Sequence, residues 1–225
     1  MKNMLMITLL VAGAMSSWAQ SQTRNVGAFS GVKVAEGVDV YLSRGEKESV
    51  RVEATGTSPD NVITEVSGSY LKIHMKDGNY RKTDIKVYVT YVKVDKLSAS
   101  SAGNIFSEEP IRANDLEVSA SSAGSIDVSI EAGTVTASAS SAGEVELKGK
   151  STSITADVSS AGEVDAFDVE AENVKAEASS AGSIKVNVTK SLVAHASSGG
   201  SIRFRGNPTK SMTDSSSGGS VKKTD

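Results

Sequence analysis

The sequence predicts an all-β fold: a right-handed parallel β-helix, or β-solenoid, of about 19–20 residues per coil with an N-terminal β cap. Two observations carry this. The first is a phrase, Ser-Ser-Ala-Gly, written as "SASSAGN" at 98–104, "SASSAGS" at 119–125, "SASSAGE" at 138–144, "DVSSAGE" at 157–163 and "EASSAGS" at 177–183. It closes as "HASSGGS" at 195–201 and "DSSSGGS" at 214–220, and its second serines fall at 101, 122, 141, 160, 180, 198 and 217. Steps of 21, 19, 19, 20, 18 and 19 residues are the mark of a solenoid that tolerates small insertions. The second observation is period-two alternation between the phrases. Val135, Ala137, Ala139, Val145 and Leu147 share one parity, while Thr136, Ser138, Ser140, Glu144 and Glu146 share the other.

A helical repeat is the competing architecture, because alanine is the best helix former. Each repeat instead holds a glycine, several serines and β-branched alternation, with no apolar i, i+3, i+4 stripe. Stacked coils advance about 4.8 Å each, so seven make a rod of roughly 30 Å, and right-handed winding is the rule for parallel crossovers. In such a stack the phrase is a corner. The second serines are expected on the inward parity, bonding one another or the corner backbone, and the glycine ladder is expected to supply φ > 0.

The N-terminal part lacks the phrase but alternates in the same way. "FSGVKVAEGVDVYLSRGEKESVRVEA" carries Val32 and Val34, then Val38, Val40 and Leu42, then Val50 and Val52, with turn signals at Glu36-Gly37 and Arg44-Gly45. Further strands are expected at 63–66, 71–75 and 85–94, with Asp77-Gly78 as a hairpin-type turn. Pro59, Pro110 and Pro208 are expected in loops. The expected organisation is residues 1–19 as a signal peptide, 20–97 as a β-rich cap or first irregular coils, and 98–225 as regular solenoid.

Lys2, the apolar run from Met4 to Met15, and small residues at Ser17 and Ala19 form the three parts of a secretory signal peptide. The apolar run is shorter than the roughly 20 residues of a membrane span, and no later segment is apolar enough to cross. The expected location is therefore exported: periplasm, cell surface or extracellular. With no cysteine, stability rests on packing and backbone pairing, and thiolate chemistry is excluded. The net charge of −3 becomes −4 without Lys2, and a mildly acidic chain without a basic run is a poor nucleic-acid binder.

An opening such as "FSGVKVAEGVDVYLSRGEKESVRVEA", followed by "LKIHM", "IKVYVTYVKVDKLSASSAGNI" and then Ser-Ser-Ala-Gly coils, resembles the bacterial family called "putative auto-transporter adhesin, head GIN domain". The likeness spans about residues 25–220. It implies an exported β-helical protein with an adhesion role, and it brings no catalytic residues with it.

Candidate sites are read from the outward columns. Phe106, Asp127, Glu146, Asp165, Lys185, Arg203 and Lys222 are expected in one column, turning from acidic to basic. Glu144, Glu146, Glu163 and Asp165 should share one face of two adjacent coils, where several hard oxygens would suit Ca²⁺. Paired carboxylates at such spacing also occur in glycosidases. The plainer expectation is a solvated acidic face. Ser69 and Lys72 match S-x-x-K but point to opposite sides of a strand. His74 and His195 have no metal spacing, and Tyr41, Tyr80 and Tyr88 are sugar-stacking candidates if exposed together.

The expectation is a binding or adhesion module for a glycan or protein at the cell envelope, without catalysis and without a cofactor. Self-association through coil ends is the first alternative, and a polysaccharide-acting enzyme centred on the four carboxylates is the second.

Overall fold

The computed structural model describes residues 20–224; the expected signal peptide lies outside the described residues. The fold is a parallel β-solenoid with an N-terminal β region, and no α-helix occurs among the described residues. Five long strands make the regular part: β9 (Asn104–Ser121), β10 (Ser125–Ser140), β11 (Glu144–Val158), β12 (Glu163–Ala178) and β13 (Ser183–Ala196). Each is a whole coil. It starts at a corner, runs along one wall, bends, and returns along the other wall to the next corner. Consecutive coils pair in parallel and nearly in register, Val145 between Ile126 and Val164, Ala156 between Ala137 and Ala176.

The stack begins inside the segment expected as cap or first irregular coils. Strands β2 (Gly31–Val34) and β3 (Asp39–Arg44) flank a Glu36-Gly37 corner, and they pair in parallel with β8 (Lys96–Ala99) and with the first part of β9. Residues 45–95 leave this coil and return to it. They contribute β6 (Tyr70–Met75), parallel to β2, and β7 (Asp84–Tyr91), parallel to β3. Antiparallel strands then cover this end: β4 (Ser49–Thr55) on β7, β1 (Gln20–Arg24) on β4, and β5 (Val62–Ser67) on β6. Arg24 clasps the two covering edges together, donating to the carbonyls of Val62 (2.6 Å) and Pro59 (2.7 Å) and to Thr64 Oγ1 (3.0 Å). At the other end β14 (Ser201–Arg205), β15 (Lys210–Ser215) and β16 (Ser220–Lys223) close the stack. There the inward column Leu192, Ala194, Ala196 gives way to Ser211, Thr213 and Ser215, so the last coil faces solvent with hydroxyls, and Lys210, Lys222 and Lys223 mark its strands.

The core is small and aliphatic. One wall contributes the fully buried column Val40, Ile105, Ile126, Val145, Val164, Ile184 and Ile202, and the other contributes mostly alanines such as Ala137, Ala156, Ala176 and Ala194. Large residues opposite small ones let two walls close on each other at interior density.

The corner differs from its sequence expectation in two respects. The phrase forms a tight turn in which the glycine N–H donates to the first serine's carbonyl, as in Gly143 to Ser140 (2.8 Å). The left-handed positions are the second serine and the alanine, Ser141 at φ 50° and Ala142 at φ 59°, the signs of a type I′ turn. The glycine has ordinary φ. It is required because a Cβ on Gly143 would lie 2.5 Å from the Ala120 backbone of the preceding coil. Nor do the second serines face inward: Ser101, Ser122, Ser141, Ser160 and Ser180 are exposed. Their carbonyls do the joining, each accepting from the alanine N–H one coil earlier, Ala123 to Ser141 and Ala142 to Ser160 at 3.1 and 3.2 Å. Gly37 donates to Ser101 in the same way, which extends the corner stack to the N-terminal coil.

Two further expectations are corrected. Asp77-Gly78 is no hairpin, because β6 and β7 belong to different walls; the hairpin turn is Gly68-Ser69, with Gly68 at φ 61°. Pro110 lies within β9, at a bulge where Glu108, Glu109 and Pro110 oppose the single residue Ser129.

Candidate binding face

The wall that follows each corner carries one continuous outward column. In register it reads Arg51, Tyr88, Tyr41, Phe106, Asp127, Glu146, Asp165, Lys185, Arg203, Lys222. Its inward neighbours are Val40, Ile105, Val128, Leu147 and Val186, so burial of the alternate parity holds every member outward.

The column has three zones. The first is aromatic. Tyr41 is stacked between Tyr88 (ring centroids 5.3 Å) and Phe106 (5.2 Å), and Arg51 lies 4.0 Å over the outer face of the stack at Tyr88, ion-paired to Glu53. Burial, followed by the nearby Asp39 carboxylate, raises the Tyr41 hydroxyl above the ordinary tyrosine range. Because the rings stack along the rod axis, they face one another and leave few ring faces toward solvent. Tyr80 lies apart, packed against the core near the 76–83 connection. The three tyrosines therefore do not form one platform. Tyr41 and Tyr88 meet, and Phe106 is the third member.

The second zone holds the candidate carboxylates. Glu144 pairs in register with Glu163, and Glu146 with Asp165, on adjacent coils as expected. Lysines sit among them. Lys148 lies 3.1 Å from Asp127 and 3.0 Å from Glu146; Lys185 lies 2.8 Å from Glu163 and 2.9 Å from Asp165. Hydrogen bonds to Glu146 and then Asp127 raise the Lys148 ammonium above the ordinary lysine range, and Asp165 followed by Glu163 does the same to Lys185. Among the described residues no three His, Cys, Asp or Glu side chains converge on a metal position. The third zone is basic, Lys185, Arg203 and Lys222, of which Lys185 is the counter-ion of the acids before it.

A cleft of about 640 Å³ lies beside the junction of the first two zones, lined by Tyr41, Phe106, Glu108, Glu109, Asp127 and Lys148 among others. Its wall is the β9 bulge, pinned by a 2.7 Å hydrogen bond from Ser107 Oγ to the Glu109 carbonyl. Glu108, Glu109 and Phe106 were not singled out together by sequence reasoning. The available signal was the 21-residue step from Ser101 to Ser122, two residues longer than its successor.

The remaining candidates are dispersed. His74 Nδ1 lies 2.9 Å from the carbonyl of Met75, and His195 lies on the other wall, 3.0 Å from Asp214. Ser69 is in the β5–β6 hairpin turn and Lys72 is on β6.

These features define a class: a β-solenoid with a patterned outer wall and no metal-binding cluster of His, Cys, Asp or Glu among the described residues. Residues 28–208 match the family model described as "Putative auto-transporter adhesin, head GIN domain", and the chain belongs to that family. No curated protein matches the sequence. Among solved structures, a "putative adhesin" from Bacteroides fragilis is similar with a TM-score of 0.81 at 19% identity, covering 93% of this chain and 98% of that one. A "putative adhesin" from Parabacteroides merdae follows at 0.72 and 14%, covering 92% and 96%. A "putative lipid binding protein" from Parabacteroides distasonis has a TM-score of 0.69 at 21% identity, covering 92% and 97%.

Proposed function

We propose that this chain is an exported adhesion module that holds a glycan or protein partner at the bacterial envelope, without chemistry of its own. The observation that carries the reading is the outward column, ten side chains fixed in register along one wall in aromatic, acidic and basic zones. A solenoid wall presents such groups at about 4.8 Å intervals without ordering cost at the moment of binding. The adhesin family supports the adhesion role, and the N-terminal charge, apolar run and small residues of positions 1–19 support export. No helix among the described residues is long and apolar enough to cross a membrane.

The test is an array of envelope glycans and matrix proteins probed with the mature chain, beside a Glu146→Lys/Asp165→Lys double variant. The expected result is at least one partner retained above background and weakened in the variant. A blank array, or partners held equally by the variant, removes the wall as the binding surface.

A further inference from the structure

The aromatic stack is finished differently at its two ends. At the Tyr88 end the chain supplies its own cation: the Arg51 guanidinium lies 4.0 Å from the ring centroid and is held by the Glu53 carboxylate. At the Phe106 end the next rung is Asp127, and among the described residues no ring or cation covers the second face of Phe106. The carboxylates are nevertheless in place. Glu108 stands two residues beyond Phe106 on β9, as Glu53 stands two beyond Arg51 on β4, and Glu109 follows it. Asp127 is engaged by Lys148, whereas Glu108 and Glu109 make no ion pair among the described residues. The cleft of about 640 Å³ opens over these groups. Near enough to Glu109 to feel its charge, the Tyr91 hydroxyl, on a side chain only 2% exposed, is without a hydrogen-bond partner.

One end of the stack is thus a filled cation site, and at the other the lysine that lines the cleft, Lys148, is taken up by Asp127 and Glu146 and leaves Phe106, Glu108 and Glu109 without a cation. We propose that the cleft takes an arginine side chain of a partner protein, its guanidinium stacked on Phe106 and paired with Glu108 and Glu109. A guanidinium fits better than an ammonium because it is planar and weakly hydrated, can stack on a ring, and presents a fork of donors to a carboxylate. The same pairing recurs within the molecule, where Arg205 lies 4.2 Å over Phe167. The inference rests on the adhesion reading and narrows its partner to a protein.

The experiment titrates the mature chain with the capped tripeptide Gly-Arg-Gly and with its citrulline and lysine counterparts, following the aromatic NMR signals of Phe106 and Tyr88. Saturable shifts at Phe106 are expected for the arginine peptide, with Kd on the order of 1 mM. Tyr88, already covered by Arg51, should not move. The citrulline peptide should bind at least about fivefold more weakly, as should the arginine peptide to the Glu108→Gln/Glu109→Gln variant and to Phe106→Leu, each first checked for an unchanged melting curve. Equal affinity for arginine and citrulline, an unaffected double variant, or no shift up to about 10 mM peptide overturns the proposal. Equal affinity for the lysine peptide overturns the guanidinium assignment. A blank partner array with a positive titration sinks the wall-wide reading alone. A positive array that yields only glycans, with a negative titration, sinks this inference alone.

Discussion

The corner and the bend are the two edges of every coil, and they are built on opposite principles. At the corner one four-residue turn recurs with the same dihedral signs and the same coil-to-coil hydrogen bonds, from Ser100 to Gly219, with only the alanine changing, to glycine at 199 and 218. At the bend the chain varies. β9 carries the Glu108–Pro110 bulge, β12 carries an extra residue at Phe167, and β13 is shorter. Different hydroxyls repair it each time: Ser107 to Glu109, Ser151 to Ser153, Thr189 to Ala171, Thr209 to Lys190. The uniform edge sets the stack and the irregular edge makes the relief on its surface, the cleft included.

The sharpest way to break the contrast is at two glycines. Gly143→Ala drives a Cβ into the Ala120 backbone, and about 2–3 kcal/mol of stability should be lost, read as a fall in Tm of roughly 5–10 °C. Gly199→Ala meets nothing closer than 4.0 Å and restores the alanine that five other corners hold at positive φ. Its left-handed strain is partly offset by reduced freedom of the unfolded chain, so under about 1 kcal/mol should be lost. Similar losses in both would show that close approach between coils is not what requires glycine at the corner.

On the variable edge, Ser107→Ala removes the pin of the β9 bulge and should cost about 1 kcal/mol, with faster amide exchange confined to 107–111. Exchange spreading to the corners would contradict independent edges. On the wall, Lys185→Met should cost at most about 1 kcal/mol, shrinking with added salt, because its pairs are part-exposed. Lys148 and Lys185 titrate above the ordinary lysine range in the fold, so their contribution is complete below about pH 10.4 and is lost as pH rises through the folded value. Glu131, held by Lys150 and Arg112, and Glu177, held by Lys175, titrate below the ordinary range. Their contribution is complete above about pH 4.3 and fades as pH falls through the folded value. Melting curves should therefore show a plateau between those limits. The smallest effect concerns Ca²⁺: with lysines already seated among Glu146, Glu163 and Asp165, millimolar Ca²⁺ should raise Tm by under about 1 °C. A larger rise would restore a cation site on this face.

The legibility of the chain follows the same division. The solenoid could be read because a repeated local rule, alternation plus a punctuating phrase, leaves a period in the letters, and the columns follow from that period. What glycine does at the corner could not, since close approach to another coil is invisible along one strand and φ > 0 is the commoner reason for a conserved-looking ladder of glycines. The aromatic stack was half visible. Tyr41 and Tyr88 stand out in the letters, but Phe106 is paired with Tyr41 across a detour of residues 45–95 that no period spans. Lys185 is legible as a column member and not as a counter-ion, and Lys148 is not legible as either, because it reaches the column from two residues further along its strand.

The uniform corner also has a consequence for inheritance. Recombination between any two copies of the phrase removes or adds whole coils and leaves every remaining corner hydrogen bond with a partner of the same kind. The rod can lengthen or shorten by about 4.8 Å per event, and where the exchanged copies lie beyond Lys148, from the phrase at 157–163 onward, the aromatic end and its cleft pass through unchanged. Reach and recognition can then be selected separately in the same gene.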